Sequence, residues 1–433
     1  MKKVLVVGYA RSGKYVSLLL QKQGYQVTVT DLAEIPDKVY LEAQGIFVYE
    51  KEHPVFLADQ AWDFVVKNPG IPYHASFVAR LVENGQRIIT EIEVASWYAP
   101  NYEYAAITGT NGKTTTTAIL GALLQSQYEQ AYVAGNIGIP LSELVVEKGD
   151  VAAKVAVEIS GFQLLAVENF HPVVTTIMNL TPDHLDYFSS LEEYYKTKTL
   201  VYHNQRAEDW FILNCDDAMV VEYCKDIPCT VIRFSLKEKF DLYLENDKIM
   251  LFDTCLFEKH DLKIVGKHNL VNAMIAAAMA YKMGVTPENI RKAIQGFTGV
   301  EHRIEYVRTV DGIDFYNDSK ATNVDSTIVA ITAFEQPLIL LAGGYDKKTG
   351  FDDLAPYLSK LKKLIVFGAT KEQFQALRED SIVVENLEEA IQRAYKEAVV
   401  GDVILLSPAC ASYDQYHNFE ERGKQYKEIV VKL

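Results

Sequence analysis

The chain has 433 residues, 49% hydrophobic and 23% charged, with a formal net charge of −15. That length predicts two or three domains, and the composition is that of a folded, soluble chain and not of a disordered one. No basic block offsets the acidic balance, which excludes nucleic acid as the main partner, and no apolar window reaches the length of a membrane span.

The opening "MKKVLVVGYARSG" is interrupted by Gly8 and Arg11 too early for a signal peptide. In chain order, "KVLVVG" reads as a buried strand and "SGKYVSLLLQKQG" as a helix ending at Gly24. "YQVTVTD" is a second strand ending at Asp31, and "WDFVVKNPGIP" a third running into a Pro-Gly turn. This is a βαβ pattern with a parallel sheet. Its glycine fingerprint, "GYARSG", is weak, because Ala10 stands where a middle glycine would admit a pyrophosphate. Asp31 suits a ribose hydroxyl, or it caps a turn.

"TEIEVASWYAPNYEY" reads as a connection, after which the pattern restarts. "KVAVEIS", "PVVTTIMNL" and "WFILN" are strands, and "HNLVNAMIAAAMAYKMG" is a helix. A third restart follows "GFTGVEHR", with strands "GIDFYND", "PLILLAGG", "KLIVFGA" and "DVILLSPA". The prediction is an α/β protein of three domains: a Rossmann-like domain over 1–92, a P-loop ATPase-type domain over 93–298 and a Rossmann-like domain over 299–433. Five cysteines (Cys215, Cys224, Cys229, Cys255, Cys410) form no C-x-x-C pair, so reduced thiols in a cytoplasmic protein are expected.

"AAITGTNGKTTTTAILGALLQ", residues 105–125, places a Gly-rich turn between a strand and a helix. It lacks the first glycine of G-x-x-x-x-G-K-[ST], where Ile107 stands. Gly109, Thr110, Asn111 and Gly112 turn N–H groups inward. Lys113 supplies a point charge for the β/γ-phosphates, Thr114 a hydroxyl for Mg²⁺, and Thr115 continues a helix start that favours anions. Glu158 ends an apolar strand, where a metal ligand or an ordinary surface carboxylate fits. His184, between Asp183 and Asp186, is either a site residue or part of a capped helix start. Lys196 and Lys198 read by pattern as two solvent-facing lysines. "YNDSKATN", "LAGGYDKKTGF" and "LSPACASYDQYHNFEERG" are polar loops at strand ends, and together they suit an acidic small molecule.

These motifs, in order along the whole chain, resemble the ATP-dependent Mur ligases, and within them the branch that adds D-glutamate. GTNGKT is that family's form of the phosphate loop. "AGNIG", "HNLVNA", "EHR", "NDSKATN" and the C-terminal "SPACASYDQYHNFEERG" continue its pattern, with Tyr416 where Phe is usual and Gly161 where Ser is common. The resemblance implies ATP and two Mg²⁺ ions. Lys113 and Thr114 would bind phosphate and the first metal, Glu158 would ligate that metal, and His184 the second. Lys198 would be carboxylated to a carbamate ligand. Asn272, Arg303 and Asp318 would hold the nucleotide, with Arg303, Lys113, His184 and Lys198 catalytic. Thr322, Lys347, Ser412, Tyr413 and Phe419 would hold D-glutamate. Arg11, Ser12, Asp31, Asn68, Gly70 and Asn136 would hold the uridine sugar nucleotide, UDP-N-acetylmuramoyl-L-alanine. A cytoplasmic monomer acting on small molecules is expected. The residues alone leave open another amino-acid ligase of the superfamily, a dinucleotide oxidoreductase built on the first segment, and a nucleotide switch without ligase chemistry.

Overall fold

The computed structural model describes residues 1–182, 187, 188, 190–345 and 350–433. Apolar runs bounded by Gly and Pro form strands that pair into three sheets. The first is wholly parallel, in the order Phe47–Glu50, Gln26–Asp31, Lys3–Val7, Phe64–Lys67, Ile88–Ile89. The chain order reverses between Lys3–Val7 and Phe64–Lys67, so a ligand crevice is expected at their carboxyl ends.

The second sheet runs Thr254–Glu258, Lys248–Leu251, Leu242–Glu245, Thr230–Phe234, Trp210–Asn214, Val174–Ile177, Tyr102–Thr108, Ala153–Glu158, Ala131–Gly135. Its last six strands are parallel, and its first three form antiparallel pairs at one edge. The third sheet runs Glu305–Val310, Ile313–Asn317, Val403–Leu406, Leu338–Gly343, Lys363–Phe367, Ile382–Val383, parallel apart from its first strand. The central strands Ala153–Glu158, Leu338–Gly343 and Val403–Leu406 are buried almost throughout, as expected of parallel strands covered on both faces.

The chain divides into two compact units. Met1–Glu258 with Asn272–Ala293 carries the first two sheets, and Lys259–Val271 with Ile294–Leu433 carries the third. The segment read as a connection holds a helix, Glu91–Trp97, and the start of strand Tyr102–Thr108. Thr90 caps that helix by accepting the Glu93 N–H. The buried Glu93 carboxylate then collects the N–H groups of Glu168, Asn169 and Phe170 and the Trp97 indole, which fixes the helix to the second sheet's loops. All five cysteines are free thiols, and among the described residues no helix is long and apolar enough to cross a membrane.

Candidate active site

In the second sheet three neighbouring strands end level, with Ile107 beside Glu158 and Thr108 beside Ile177. The Gly109–Gly112 loop leaves from that edge. Gly112 sits at φ +83 before helix Lys113–Gln125, and a Cβ there would fall 2.7 Å from Asn272 Oδ1. The left-handed conformation favours glycine, and any side chain there would also have to displace the Asn272 amide. Asn179 fastens the loop from the next strand end. Its Oδ1 accepts from Asn111 N (2.8 Å), its Nδ2 donates to Asn111 O (3.1 Å), and its carbonyl accepts from Thr110 N (3.0 Å).

Lys113 Nζ donates to the carbonyls of Gly109 (2.9 Å) and Thr110 (2.7 Å). Lys198 Nζ donates to the same Gly109 carbonyl at 2.9 Å and lies 4.5 Å from the Tyr194 ring centre. Two ammonium groups thus meet on one carbonyl, which concentrates positive charge at the loop. The expectation that both helical lysines face solvent holds for Lys196, exposed and paired with Glu192, and fails for Lys198, only 2% exposed. Helix Leu191–Thr199 turns Tyr194 and Lys198, four residues apart, to its inner face.

Glu158 is 1% exposed, so it is no surface residue. Its Oε1 accepts from Asn136 Nδ2 at 2.7 Å, while Oε2 is buried with no hydrogen-bond partner among the described residues. A buried carboxylate oxygen of that kind is costly unless a cation meets it. Carboxylate and threonine oxygens beside a phosphate loop suit Mg²⁺, a hard cation. No cluster of three or more His, Cys, Asp or Glu occurs among the described residues. His184 and Lys347 lie outside the described residues.

In the first sheet, the strand-order reversal opens a cavity of about 590 Å³ lined by Gly8, Ala10, Asp31, Leu32, Asn68 and Phe77, among others. His53, also in the lining, stacks on Phe77 at 4.7 Å, and burial lowers its pKa, so the wall they form is neutral. Asp31 takes the turn-capping role: its oxygens accept the N–H groups of Tyr9 (2.6 Å) and Ala33 (2.8 Å). Asn68 accepts from Gly70 N at 3.0 Å and donates to Ser12 Oγ at 3.4 Å, which draws those three expected residues together. Arg11 is committed elsewhere, to a bidentate pair with Glu143 at 2.7 and 2.8 Å. The Asn136 amide nitrogen likewise donates to Glu158.

In the second unit, strands Ile313–Asn317, Val403–Leu406 and Leu338–Gly343 are parallel neighbours, so the loops that follow them share one rim. Arg422, fully buried, ties two of them. It donates to Ser319 Oγ (3.0 Å), Ser319 O (2.9 Å), Cys410 O (3.1 Å) and Ala411 O (3.2 Å). Burial brings its pKa down to about 10. Asp318 is buried, with its oxygens accepting from Ile304 N (3.1 Å) and Ser407 Oγ (2.7 Å). Desolvation pushes it up to about 7, against those two bonds and the charges of Arg303 and Arg422. Asp318 therefore holds the bend that carries the exposed Arg303. On the rim, Thr322 is half-buried, Ser412 buried, and Tyr413 66% exposed against Tyr345. The Phe419 and His302 rings meet nearly at right angles, with Lys320 Nζ 5.8 Å from the Phe419 ring centre.

Residues 107–280 match the family described as Mur ligase middle domain, and residues 302–410 match Mur ligase, glutamate ligase domain. The UDP-N-acetylmuramoylalanine–D-glutamate ligase of Listeria monocytogenes is 40% identical over 442 residues, covering 100% of this chain and 97% of the relative. The enzyme of that name from Lactiplantibacillus plantarum is 41% identical over 445 residues, covering 100% and 96%. The chain belongs to the Mur ligase family. Among solved structures, UDP-N-acetylmuramate-alanine ligase from Thermotoga maritima superimposes on this Mur ligase with a TM-score of 0.60 at 19% identity, covering 100% of both chains, a likeness of fold.

Sequence reading missed two residues that organise this Mur ligase's loops. Asn179 was legible only as the end of an apolar strand, although its position beside the phosphate loop's strand was a usable signal. Arg422 stood within a quoted motif with no role, and an arginine between apolar helix positions was the one hint of burial.

Proposed function

We propose that this chain joins D-glutamate to UDP-N-acetylmuramoyl-L-alanine with ATP, releasing ADP and phosphate, in the synthesis of peptidoglycan precursors. The observation that carries the reading is the loop edge of the second sheet, where two ammonium groups and a carboxylate with an unfilled oxygen gather at a phosphate loop. The relatives, named as D-glutamate ligases, support D-glutamate as the amino acid.

The chemistry needs that edge. A carboxylate is a poor electrophile, so the alanine carboxylate first attacks the γ-phosphate of ATP, the bond to ADP breaks, and an acyl phosphate forms. The D-glutamate amine then attacks the acyl carbon, phosphate leaves, and the amine proton passes to solvent. Positioning and charge neutralisation do most of the work. Lys113 takes up phosphate charge, and the Gly109–Gly112 loop, clamped by Asn179, orients the N–H groups. Thr114 and Glu158 would hold a Mg²⁺ ion, which supplies charge neutralisation at the phosphates. His184 and Lys198 are assigned to a second. Loss of one proton from the Lys198 ammonium, addition of CO₂ to the neutral Nζ and loss of a second proton would convert a buried cation into an anionic oxygen ligand. Residues 1–92 are assigned to the uridine sugar nucleotide, 93–298 to ATP, and 299–433 to the amino acid through Thr322, Lys347, Ser412, Tyr413 and Phe419. The chain is assigned to the cytoplasm, as a monomer.

A phosphate-release assay with ATP, UDP-N-acetylmuramoyl-L-alanine and a panel of D- and L-amino acids tests this. D-Glutamate should be the preferred acceptor. Preference for L-lysine or L-alanine would overturn the amino-acid assignment, and no release with any acceptor would overturn the ligase reading.

A further inference from the structure

Lys67 ends strand Phe64–Lys67 beside Val7, directly at the strand-order reversal of the first sheet. It is 3% exposed. Its Nζ donates to the carbonyls of Asn68 (3.1 Å) and Ile71 (2.7 Å) and to the Tyr187 hydroxyl (3.4 Å), and lies 4.7 Å from the Tyr73 ring centre. All these partners are neutral, and no carboxylate pairs with it among the described residues. Burying a lone ammonium costs free energy that packing alone does not require. Desolvation brings its pKa down to about 8.

What the ammonium holds is informative. Asn68 and Ile71, whose carbonyls it fixes, both line the 590 Å³ cavity. Tyr187 also bonds the Ile71 carbonyl at 3.3 Å and packs on Phe162, with ring centres 4.3 Å apart. A buried positive charge one peptide group behind a cavity wall, with no acidic partner among the described residues, is matched by an anionic ligand in the cavity.

We infer that Lys67 is a positioning residue for the uridine sugar nucleotide: it shapes the Asn68–Ile71 turn from behind and sets a positive potential for the ligand's diphosphate. The inference rests on the reading of that cavity as the sugar-nucleotide site.

Binding of UDP-N-acetylmuramoyl-L-alanine by calorimetry, with steady-state kinetics, tests it in wild type and Lys67→Met. The variant should weaken sugar-nucleotide binding by about tenfold or more, a step of roughly 1.4 kcal/mol. Its Michaelis constants for ATP and D-glutamate should move less than about twofold. In wild type the dissociation constant should rise several-fold from pH 7 to 9 as Lys67 loses its proton. Of the groups facing Lys67, burial raises Tyr73 to about 12 and Tyr187 well above its ordinary value, so neither titrates there. In the cavity lining, His53 is lowered by burial and Arg80 raised by Asp59, which leaves both unchanged over that range, beside Asp31. Equal affinity in the variant, an equal rise in all three Michaelis constants, or a flat wild-type pH profile would overturn the inference. If the variant fails to fold, the wild-type profile alone decides. Failure of the wild type to bind the sugar nucleotide would instead remove the reading of the cavity.

Discussion

Replacing Arg422 with leucine should loosen the second unit and little else. The guanidinium makes four hydrogen bonds to Ser319, Cys410 and Ala411. At about 1.5 kcal/mol for each bond from a charged donor, the gross contribution is about 6 kcal/mol. Burying the charge takes some of that back. The fall of its pKa to about 10 corresponds to roughly 3 kcal/mol at 1.36 per unit. A net loss of about 3 kcal/mol is therefore expected for Arg422→Leu. The protein offers its own separation of signals, because Trp62, Trp97 and Trp210 all lie in the first unit. Indole fluorescence then reports that unit, while amide hydrogen exchange at Ser319, Lys320 and residues 410–412 reports the tied loops. Urea denaturation of the variant should leave the fluorescence transition in place, and exchange in those loops should rise about a hundredfold at 1.4 kcal/mol per decade. Unchanged protection at both loops, or a fluorescence midpoint that falls as far as the loops do, would refute the argument.

Other outcomes are equally specific. Glu158→Gln should raise the Mg²⁺ concentration for half-maximal phosphate release at least about tenfold, since an amide oxygen is a weaker ligand than the unfilled carboxylate oxygen; an unchanged Mg²⁺ titration would exclude it as a ligand. Lys113→Ala should abolish turnover while its melting temperature stays within a few degrees of wild type, and retained turnover would dispose of the phosphate-loop assignment. Lys198→Ala should be nearly inactive and partly restored by short-chain carboxylates if the lysine carries a carbamate; full activity without additive speaks against that. Asp318, with its folded pKa raised to about 7, binds its proton more tightly folded than unfolded. The second unit should thus lose stability as pH rises from about 4 through 7, and Asp318→Asn should flatten that slope in urea titrations followed by hydrogen exchange.

The parts legible in the sequence are those where local pattern and tertiary role coincide. GTNGKT is a short word whose chemistry is confined to its own loop, and strands such as "PLILLAGG" are apolar because both faces are covered. The helix at Glu91–Trp97 escaped because it is short and wedged against loops that supply its stability. The edge hairpin of the second sheet escaped because its turn, Asn246-Asp247 at φ +51 and +60, lacks the usual glycine. Lys198 could not be told from Lys196 by periodicity, since the face a helix buries depends on what packs across it. Asp31, Asn136 and Arg11 were assigned to the sugar nucleotide by resemblance, and the bonds they make to neighbouring protein groups, the Asp31 oxygens to Tyr9 and Ala33, the Arg11 guanidinium and the Asn136 amide nitrogen to carboxylates, are tertiary contacts that no local pattern displays.

The helix Glu91–Trp97 bears on how this architecture can be recombined. Thr90 N–H bonds the Ala166 carbonyl, Glu91 takes the Ser142 N–H, and Glu93 gathers the 168–170 turn. All of these partners belong to the stretch that builds the second sheet. A chimaera that exchanged the first sheet for one from another ligase with a junction at residue 92 would split this helix. It would pair a foreign Glu91 position with the native Ser142. A junction ahead of Thr90 would keep the anchored helix with its partners, and the contacts left to be matched include the Phe64–Trp97 ring contact, the helix's packing on Arg11–Lys22, and the Arg11–Glu143 and Arg87–Glu168 pairs. The place where the chain can be cut and rejoined is thus set by where a buried carboxylate finds its donors.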